Sequence, residues 1–468
     1  MTDILRKLLS TLDVEEALGR DFQIVERPTV TDTKFRVDEA AAAVCVAGGL
    51  LTSQIWEMQT GEKQTILVNT AHAALTLISF MLQTQNGYPI CYPDTHRAWP
   101  NYPIMDAYRA KDGRFIYIDG VYPHLRDGLL DILDSPNNAP ALANAVARFD
   151  SEELEQVINE RALCGTIVRT YEEWCKHPQG KILADMPAVK ITKLSSGHPI
   201  EFHVGKQPLT GIRVLDLTHV LAGPMSTRAL AGQGAEVLHI SGPNVFELFP
   251  FTIDTGHGKR NAFLDLKRTE DCDQLRRLIE QTDLFVQAYS PGKLADFGFG
   301  VEEVCRLKEG IIYCTLSCYG TTGPCGRWGG FEQLGQAASG LMAAHSSINA
   351  PKLVPAAVCD YLTGYLATIG MLVALVRRAK EGGSYHVEVS LTRTGMWVQE
   401  LGYRTDADTP GCIPTEELES FLMNSSTCFG TIRHLKPVTQ YSLTPPKFVY
   451  PVSALGSSPA VWTNGEGA

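Results

Sequence analysis

The chain of 468 residues has little charge and no basic excess. Charged residues make up 20% of the sequence, and the formal net charge at pH 7 is −11. An acidic balance argues against nucleic acid or an anionic membrane surface as the main binding partner, because both carry negative charge. We therefore expect neither kind of partner.

Long hydrophobic runs and paired cysteines are also lacking. The longest apolar run, Leu366–Val376, is too short to span a bilayer, and residues 1–7 contain no apolar segment of signal-peptide length. The twelve cysteines form no CxxC pair, so we expect no metal site. We expect reduced thiols and a cytoplasmic location, with a mitochondrial or peroxisomal matrix as the alternative.

What the sequence does contain is a regular alternation of apolar strands and helices over 208–400. Apolar strands spaced by helices predict an α/β fold with a doubly wound parallel sheet, a Rossmann-like large domain. Ligands bind such sheets beyond the carboxyl ends of the strands. The predicted strands are Arg213–Thr218, Ala235–Ile240, Ala262–Leu266, Leu284–Ala288 and Ile311–Ser317.

Residues 358–390 can be laid without gaps on residues 37–69. Gly370 then meets Gly49, and Asp360 meets Glu39, with Asp38 beside it. The pattern predicts a degenerate partial repeat over 1–94 that packs on the large domain. The remaining predicted parts are a smaller α+β domain over 95–205, the large domain over 206–400 and a tail over 401–468 that returns to it.

Asp360 stands before a long apolar helical segment, Tyr361–Arg378, which ends at Gly382 and Gly383. We expect Asp360 at the N-cap, where free backbone N–H groups and the helix dipole favour the ionised carboxylate. Such a carboxylate is a candidate nucleophile. Asp is also a common capping residue, so position alone leaves both readings open.

Six motifs in the large domain occur in the order found in the class III CoA-transferase family, which this sequence resembles. The motifs are the segments 209–224, 258–267, 290–292, 317–324 and 336–342, followed by Asp360 with Gly364. Segments 103–119 and 169–174 resemble the small domain of the family. In ordinary members that domain follows the nucleophile region, whereas here it precedes the large domain, so the order is permuted.

The resemblance implies transfer of CoA from an acyl-CoA to a small carboxylic acid, with CoA as co-substrate and no permanently bound cofactor. Asp360 would be the nucleophile, forming a mixed anhydride and then an aspartyl-CoA thioester. The resemblance also implies a homodimer, interlocked in known members. The residues expected to contact CoA are Leu221, Ala222, Lys259, Arg260, Lys267 and Tyr289.

Several positions depart from the family pattern. Phe331 stands where related acyl-CoA racemases have a histidine, which favours a transferase over the alternative of a racemase or isomerase. Gly242 and Asp296 replace arginines, and Ala288 replaces an asparagine. Loss of these contacts keeps a non-catalytic relative open as a further alternative. The aromatic residues of 88–102 either line a substrate pocket or fill a core.

Overall fold

The computed structural model describes residues 1–91, 102–405 and 413–463. The strands are β1 Phe22–Val25, β2 Ile66–Asn69, β3 Thr84–Gln85, β4 Tyr88–Pro89, β5 Met105–Arg109, β6 Phe115–Asp119, β7 Gly165–Ile167, β8 Lys190–Lys193, β9 Arg213–Leu217, β10 Glu236–Ser241, β11 Lys259–Phe263, β12 Leu284–Gln287, β13 Ile312–Ser317, β14 Tyr385–Ser390, β15 Leu422–Thr427, β16 Gly430–Leu435 and β17 Gln440–Tyr441.

The α-helices are α1 Thr2–Thr11, α2 Val37–Thr60, α3 Thr70–Leu75, α4 Pro123–Leu133, α5 Ala139–Val146, α6 Ser151–Glu160, α7 Tyr171–Lys176, α8 Pro178–Ala184, α9 Ala222–Ala231, α10 Phe249–Thr255, α11 Thr269–Ile279, α12 Lys293–Asp296, α13 Val301–Leu307, α14 Glu332–Ser339, α15 Leu341–His345, α16 Val358–Glu381, α17 Leu391–Glu400 and α18 Thr415–Ser420. Two short 3₁₀ helices cover Glu15–Gly19 and Thr76–Met81.

The largest sheet has the order β11-β10-β9-β12-β13-β14-β8. Its strands are parallel except β8, which pairs antiparallel with β14. Alternate side chains enter two different cores: Val214 and Val237 join the core that contains α9 and α16, while Leu215 and Leu238 join the core that contains α11. Both faces are therefore covered by helices, and the predicted α/β class is confirmed.

One predicted strand is displaced. The sequence predicts Ala262–Leu266, but β11 begins at Lys259 and ends at Phe263. The polar residues Lys259 and Arg260 read as a loop in the sequence, yet both lie in parallel register with β10. Both were expected to contact CoA, and the structure places them at the beginning of a strand.

The two halves of the internal repeat have the same local structure. Helices α2 and α16 each contain 24 residues and begin and end at equivalent repeat positions. Strand β2 lies between parallel β1 and antiparallel β17, just as β14 lies between parallel β13 and antiparallel β8. The chain thus contains the corner β13-β14-β8 a second time, as a separate three-stranded sheet.

Equivalent glycines set the helix–strand distance in both copies. A Cβ on Gly370 would lie 2.6 Å from Val387 Cγ1 and 2.7 Å from Val189 Cγ1. A Cβ on Gly49 would lie 2.7 Å from Ile66 Cδ1 and from a methyl of Thr439. Each glycine therefore lets its helix approach its strand more closely than any other residue would allow.

The small antiparallel sheet β5-β6-β7 and helices α4 to α8 lie between the two copies in the sequence. The backbone N–H of Arg169 donates to the carbonyl of Ala337, which ties this region to α14 at 3.1 Å. In the tail, Trp462 packs in the core beside α11. The division of the chain into four parts stays a prediction.

Helices α2 and α16 are long and apolar enough to cross a membrane by length and composition alone. Their most apolar windows are 83% and 94% buried against the rest of the chain, as expected of core helices. Among the described residues the cysteines are free thiols, and no cluster of His, Cys, Asp or Glu has the arrangement of a metal site.

Candidate active site

Asp360 lies in the first turn of α16, but it is not the N-cap. Ala357 holds that position, and its side chain makes no capping bond. The prediction of an N-cap aspartate is wrong by three residues, because Val358 and Cys359 already have helical conformation. Asp360 therefore projects from the helix surface, and its side chain is 5% exposed.

The cap comes instead from Glu332, the first residue of α14. Its two carboxylate oxygens accept hydrogen bonds from the backbone N–H groups of Cys359, at 3.1 Å, and Asp360, at 2.5 Å. Gln336 Nε2 donates to the same carboxylate at 2.7 Å. Two of the free N–H groups of the α16 terminus are satisfied in this way. Glu332 thus fixes the backbone that carries Asp360.

Asp360 and Glu332 face a cavity of about 60 Å³ between the small sheet and the carboxyl end of the large one. It contains two more polar side chains, Asp119 and Gln333, and is otherwise apolar. The apolar lining consists of Phe80, Met105, Val121, Val220, Leu221, Leu248, Phe251, Phe331 and Ala357. The cavity lies at the expected rim of a doubly wound sheet.

Three carboxyl groups therefore surround one small cavity. Burial raises the pKa of Asp360 well above its usual range, and the charges of Glu332 and Asp119 add to the effect. Burial likewise raises the pKa of Asp119 and that of Glu332, each to about 7. The sequence led us to expect an ionised Asp360, but burial here opposes the helix dipole and favours the neutral acid.

Val220, which follows β9 at the cavity wall, has a φ of 66°. The left-handed region is rare for β-branched residues and costs on the order of 1–3 kcal/mol. This conformation places His219 on one side, where Nδ1 lies 2.5 Å from Glu247 Oε1, and Leu221 on the other, against the cavity. The strained residue therefore lines the cavity and directly precedes Leu221 and Ala222, which the sequence predicts to contact CoA.

The predicted CoA-contacting residues are not gathered at one place. Leu221 lines the cavity, and Ala222 begins α9 directly behind it. Tyr289 lies edge-on to His219, with ring centroids 4.6 Å apart. Lys267 is exposed just beyond the end of β11. These four residues surround the carboxyl ends of β9, β11 and β12.

The two basic residues of β11 have different surroundings from those expected. Lys259 is 2% exposed, and its Nζ donates to Asp216 Oδ2 at 2.9 Å and to the carbonyl of Pro224 at 2.7 Å. Although burial acts to raise the pKa of Asp216, Lys259 and His239 hold it below its usual range. A CoA phosphate could reach Lys259 only by replacing the Asp216 contact.

Arg260 pairs with Glu236 at 3.4 Å and donates to the carbonyl of Val461 at 2.8 Å. Glu236 is the first residue of β10, so this pair lies at the amino ends of the strands, on the side of the sheet away from the cavity. This position does not favour a CoA contact. The sequence signal for Arg260 was its place beside Lys259 in the second motif.

The repeat copy of the nucleophile turn is chemically different. Arg36 donates from Nε and Nη2 to both oxygens of Glu39, at 2.7 and 2.6 Å, and the pair lowers the pKa of Glu39. Asp38 Oδ2 accepts from the N–H groups of Val30 and Thr31. Both carboxylates are therefore engaged in holding local structure.

Of the residues singled out as departures, Phe331 lines the cavity and stacks on Tyr122, with centroids 5.8 Å apart. Asp296 is exposed at the end of α12, and Gly242 and Ala288 directly follow β10 and β12. Among the aromatic residues of 88–102, Tyr88 is 77% exposed. Tyr92 and Trp99 lie outside the described residues.

Comparison with known families identifies the chain. The sequence profile described as CoA-transferase family III matches residues 25–186 and 209–431, on both sides of a short gap that follows the small sheet. The chain belongs to CoA-transferase family III. The family resemblance drawn from the six motifs is confirmed, and the two matched ranges include α2, the small sheet, Glu332 and Asp360.

Curated members of family III are similar over part of their length. An acetyl-coenzyme A transferase, nodX, of Hypoxylon pulicicidum is 30% identical over 71% of this chain and 63% of its own. Succinyl-CoA:glutarate CoA-transferase of Homo sapiens is 30% identical over 42% of this chain and 48% of its own. The family III chain thus spans less than two thirds of these relatives.

Solved structures of similar proteins include Rv3272 of M. tuberculosis, with 27% identity, a TM-score of 0.40 and coverage of 42% of this chain and 57% of that one. A CAIB/BAIF family protein of Brucella suis has 23% identity and a TM-score of 0.39, and the match covers 48% of this chain and 65% of that one.

Proposed function

We propose that this protein is an acyl-CoA:carboxylate CoA-transferase in which Asp360 is the nucleophile. The observation that carries the proposal is a buried carboxyl group on the first turn of α16 that faces a mainly apolar cavity. Among the described residues its oxygens have no hydrogen-bond donor, so the side chain is not held by a structural role. Membership in family III supports the same reaction.

The proposed reaction has four steps. Burial makes the ionised form of Asp360 the minor one, and it is this form that reacts. Its carboxylate attacks the thioester carbonyl, the C–S bond breaks, CoA thiolate departs, and a mixed anhydride remains. The thiolate then attacks the Asp360 carbonyl carbon, releasing the first acid and forming an aspartyl-CoA thioester. The acceptor carboxylate displaces the thiolate to give a second anhydride, and return of the thiolate to the acceptor carbonyl regenerates Asp360.

The residues around the cavity supply what this sequence of steps needs. Glu332 holds the first turn of α16 in place through two backbone hydrogen bonds. The mainly apolar lining disfavours water, which would hydrolyse an anhydride. The exposed Lys267 beyond β11 is the candidate cation for the CoA phosphates. A homodimer and a cytoplasmic location stay predictions.

The proposal is tested by trapping the acyl-enzyme. Purified protein is incubated with a panel of acyl-CoA thioesters and then with hydroxylamine, and peptide masses are measured. Hydroxylamine converts an aspartyl anhydride or thioester into a hydroxamate. We expect a hydroxamate on Asp360 with at least one donor, and none in Asp360→Asn.

The internal repeat provides a matched control. Glu39→Gln alters the equivalent position of α2, where the carboxylate is bound by Arg36, and we expect trapping on Asp360 at the wild-type level. No adduct with any donor in the wild-type protein would overturn the transferase proposal. Exchange of the α-proton without any adduct would instead indicate the racemase reaction.

A further inference from the structure

The cavity that Asp360 faces has two kinds of wall. One kind consists of carboxyl groups, since Asp360, Glu332 and Asp119 all line it. The other kind is apolar apart from Gln333, and it includes three phenylalanines. No lysine, arginine or histidine lines the cavity within residues 1–91, 102–405 and 413–463. Together these walls decide which acyl groups the cavity accepts.

The aromatic walls are held in place by neighbouring rings. Phe80 and Phe251 meet edge to face, with ring centroids 4.9 Å apart. Phe331 stacks on Tyr122, with centroids 5.8 Å apart. The three phenylalanines present apolar surface to the cavity, and covering such surface is favourable for an uncharged acyl group. This part of the lining therefore favours an apolar substrate.

The carboxyl groups act against a negatively charged group. The charges of Glu332 and Asp119 already disfavour the ionised form of Asp360 by raising its pKa. The same repulsion acts on any other anion placed beside Asp360, because it depends on charge and distance and not on which molecule carries the charge. Moving an unpaired charge from water into a mainly apolar cavity adds a cost of desolvation. A second carboxylate on the substrate would thus be strongly disfavoured.

We propose that the acyl group that this protein transfers is that of an apolar monocarboxylic acid, and that the carboxyl groups and phenylalanines of the cavity exclude short dicarboxylic acids. This inference rests on the proposed transferase function and adds a substrate class to it. The acceptor acid passes through the same steps in reverse order against Asp360, so the class applies to donor and acceptor alike. The exclusion applies to charge near the thioester carbonyl, whatever the length of the acyl chain.

Malonyl-CoA and isovaleryl-CoA form a matched pair of donors. Both have a single CH₂ group after the thioester carbonyl, followed by a branched group that is a carboxylate in one and an isopropyl group in the other. Since only one CH₂ group separates them, the malonyl carboxylate must lie close to Asp360 whenever the thioester carbonyl does. The CoA part is identical, so contacts to the CoA phosphates cancel in the comparison.

The measurement is the initial rate at which each donor loads Asp360, at donor concentrations below saturation. Hydroxylamine converts the loaded aspartyl group into the same hydroxamate with either donor, so one peptide mass reports both rates. Two unit charges about 4 Å apart alter a rate about 5-fold in bulk water and by far more in a partly buried site. We therefore expect isovaleryl-CoA to load Asp360 at least about 10-fold faster than malonyl-CoA.

Gln333→Arg tests whether charge is the cause of this preference. Gln333 lines the cavity beside Glu332 and is partly exposed, so a longer side chain can be accommodated. A guanidinium there offsets the negative charge of the cavity, and we expect the ratio of the two rates to fall, mainly through faster loading by malonyl-CoA. Gln156→Arg is the matched control, because Gln156 is exposed on α6 outside the cavity and the change in net charge is the same. Its ratio should equal that of the wild type.

A wild-type ratio below about 10, or a preference for malonyl-CoA, overturns the substrate class and leaves Asp360 as the nucleophile. An unchanged ratio in folded Gln333→Arg also overturns the class, because the preference would then come from shape. If Gln333→Arg does not fold, the wild-type ratio decides. If isovaleryl-CoA is too bulky to load, acetyl-CoA, which is uncharged and smaller than malonyl-CoA, takes its place.

Failure of the transferase proposal has a different signature. In that case Asp360 forms no adduct with any donor, charged or uncharged, and the substrate class falls with the reaction.

Discussion

Replacement of Gly370 by alanine tests whether the close approach of α16 to β14 holds the proposed nucleophile in place. The added Cβ would lie 2.6 and 2.7 Å from methyl groups of Val387 and Val189, where carbon atoms normally keep at least about 3.5 Å. Both neighbours are β-branched, and such side chains have few rotamers with which to yield. The helix must therefore move by roughly 1 Å.

The size of the effect follows from a comparison with Gly48. Alanine favours helix over glycine by roughly 0.5–1 kcal/mol at either position. A Cβ on Gly48 meets no atom within 4 Å, so Gly48→Ala has only this gain. Overpacking costs about 1–3 kcal/mol. The free energy of unfolding of Gly370→Ala should thus be lower than that of Gly48→Ala by about 1–3 kcal/mol.

Urea unfolding followed by circular dichroism measures this difference from the two midpoints and a common m value. The rate of hydroxylamine trapping on Asp360 provides the functional reading. Since a displacement of 1 Å near a reacting group can cost about 100-fold in rate, we expect Gly370→Ala to slow trapping strongly. Gly49→Ala, the repeat equivalent, should lose similar stability with a smaller effect on the rate. Equal midpoints for Gly370→Ala and Gly48→Ala would refute the reasoning.

Two further predictions concern the carboxyl groups. Glu332→Leu leaves the buried N–H groups of Cys359 and Asp360 without an acceptor and should lower the free energy of unfolding by about 2–6 kcal/mol at pH 6, whereas the exposed Glu302→Gln should change it by less than about 0.5 kcal/mol. Burial raises the pKa of Asp119 in the folded protein to about 7, above the ordinary value of an aspartate. Its neutral form therefore stabilises the fold at low pH, and this stabilisation is lost as the pH rises through 7. The urea midpoint of Asp119→Asn minus that of the wild type should therefore be larger at pH 8 than at pH 5. A difference that is the same at both pH values would contradict the raised pKa.

Much of the fold follows from the sequence because the large sheet is built from short apolar runs with clear limits. Strands β9, β12 and β13 lie within one or two residues of their predicted bounds. Strand β11 was misplaced because its first two residues are basic. Their charges are matched by Asp216 on β9 and Glu236 on β10, and no local pattern reveals such partners.

The site was only partly predictable for a related reason. Asp360 stands out as a candidate because a lone carboxylate beside a long apolar helix is conspicuous in the sequence. Glu332 carried no comparable signal, since a glutamate at a helix start is ordinary until its acceptor role toward another helix is seen. Asp119 ends a typical apolar strand, and only the folding of the small sheet against the large one brings it to the cavity.

The duplicated corner, with its two packing glycines, has a consequence for how such a chain can change over generations. In both copies the glycine permits the same helix–strand contact, whereas the turn that begins the helix carries a bare carboxyl in one copy and an arginine-bound glutamate in the other. The packing of the helix on the strand and the chemistry of the first turn thus depend on different residues. One copy can accept substitutions in the first turn of its helix and still pack against the other copy.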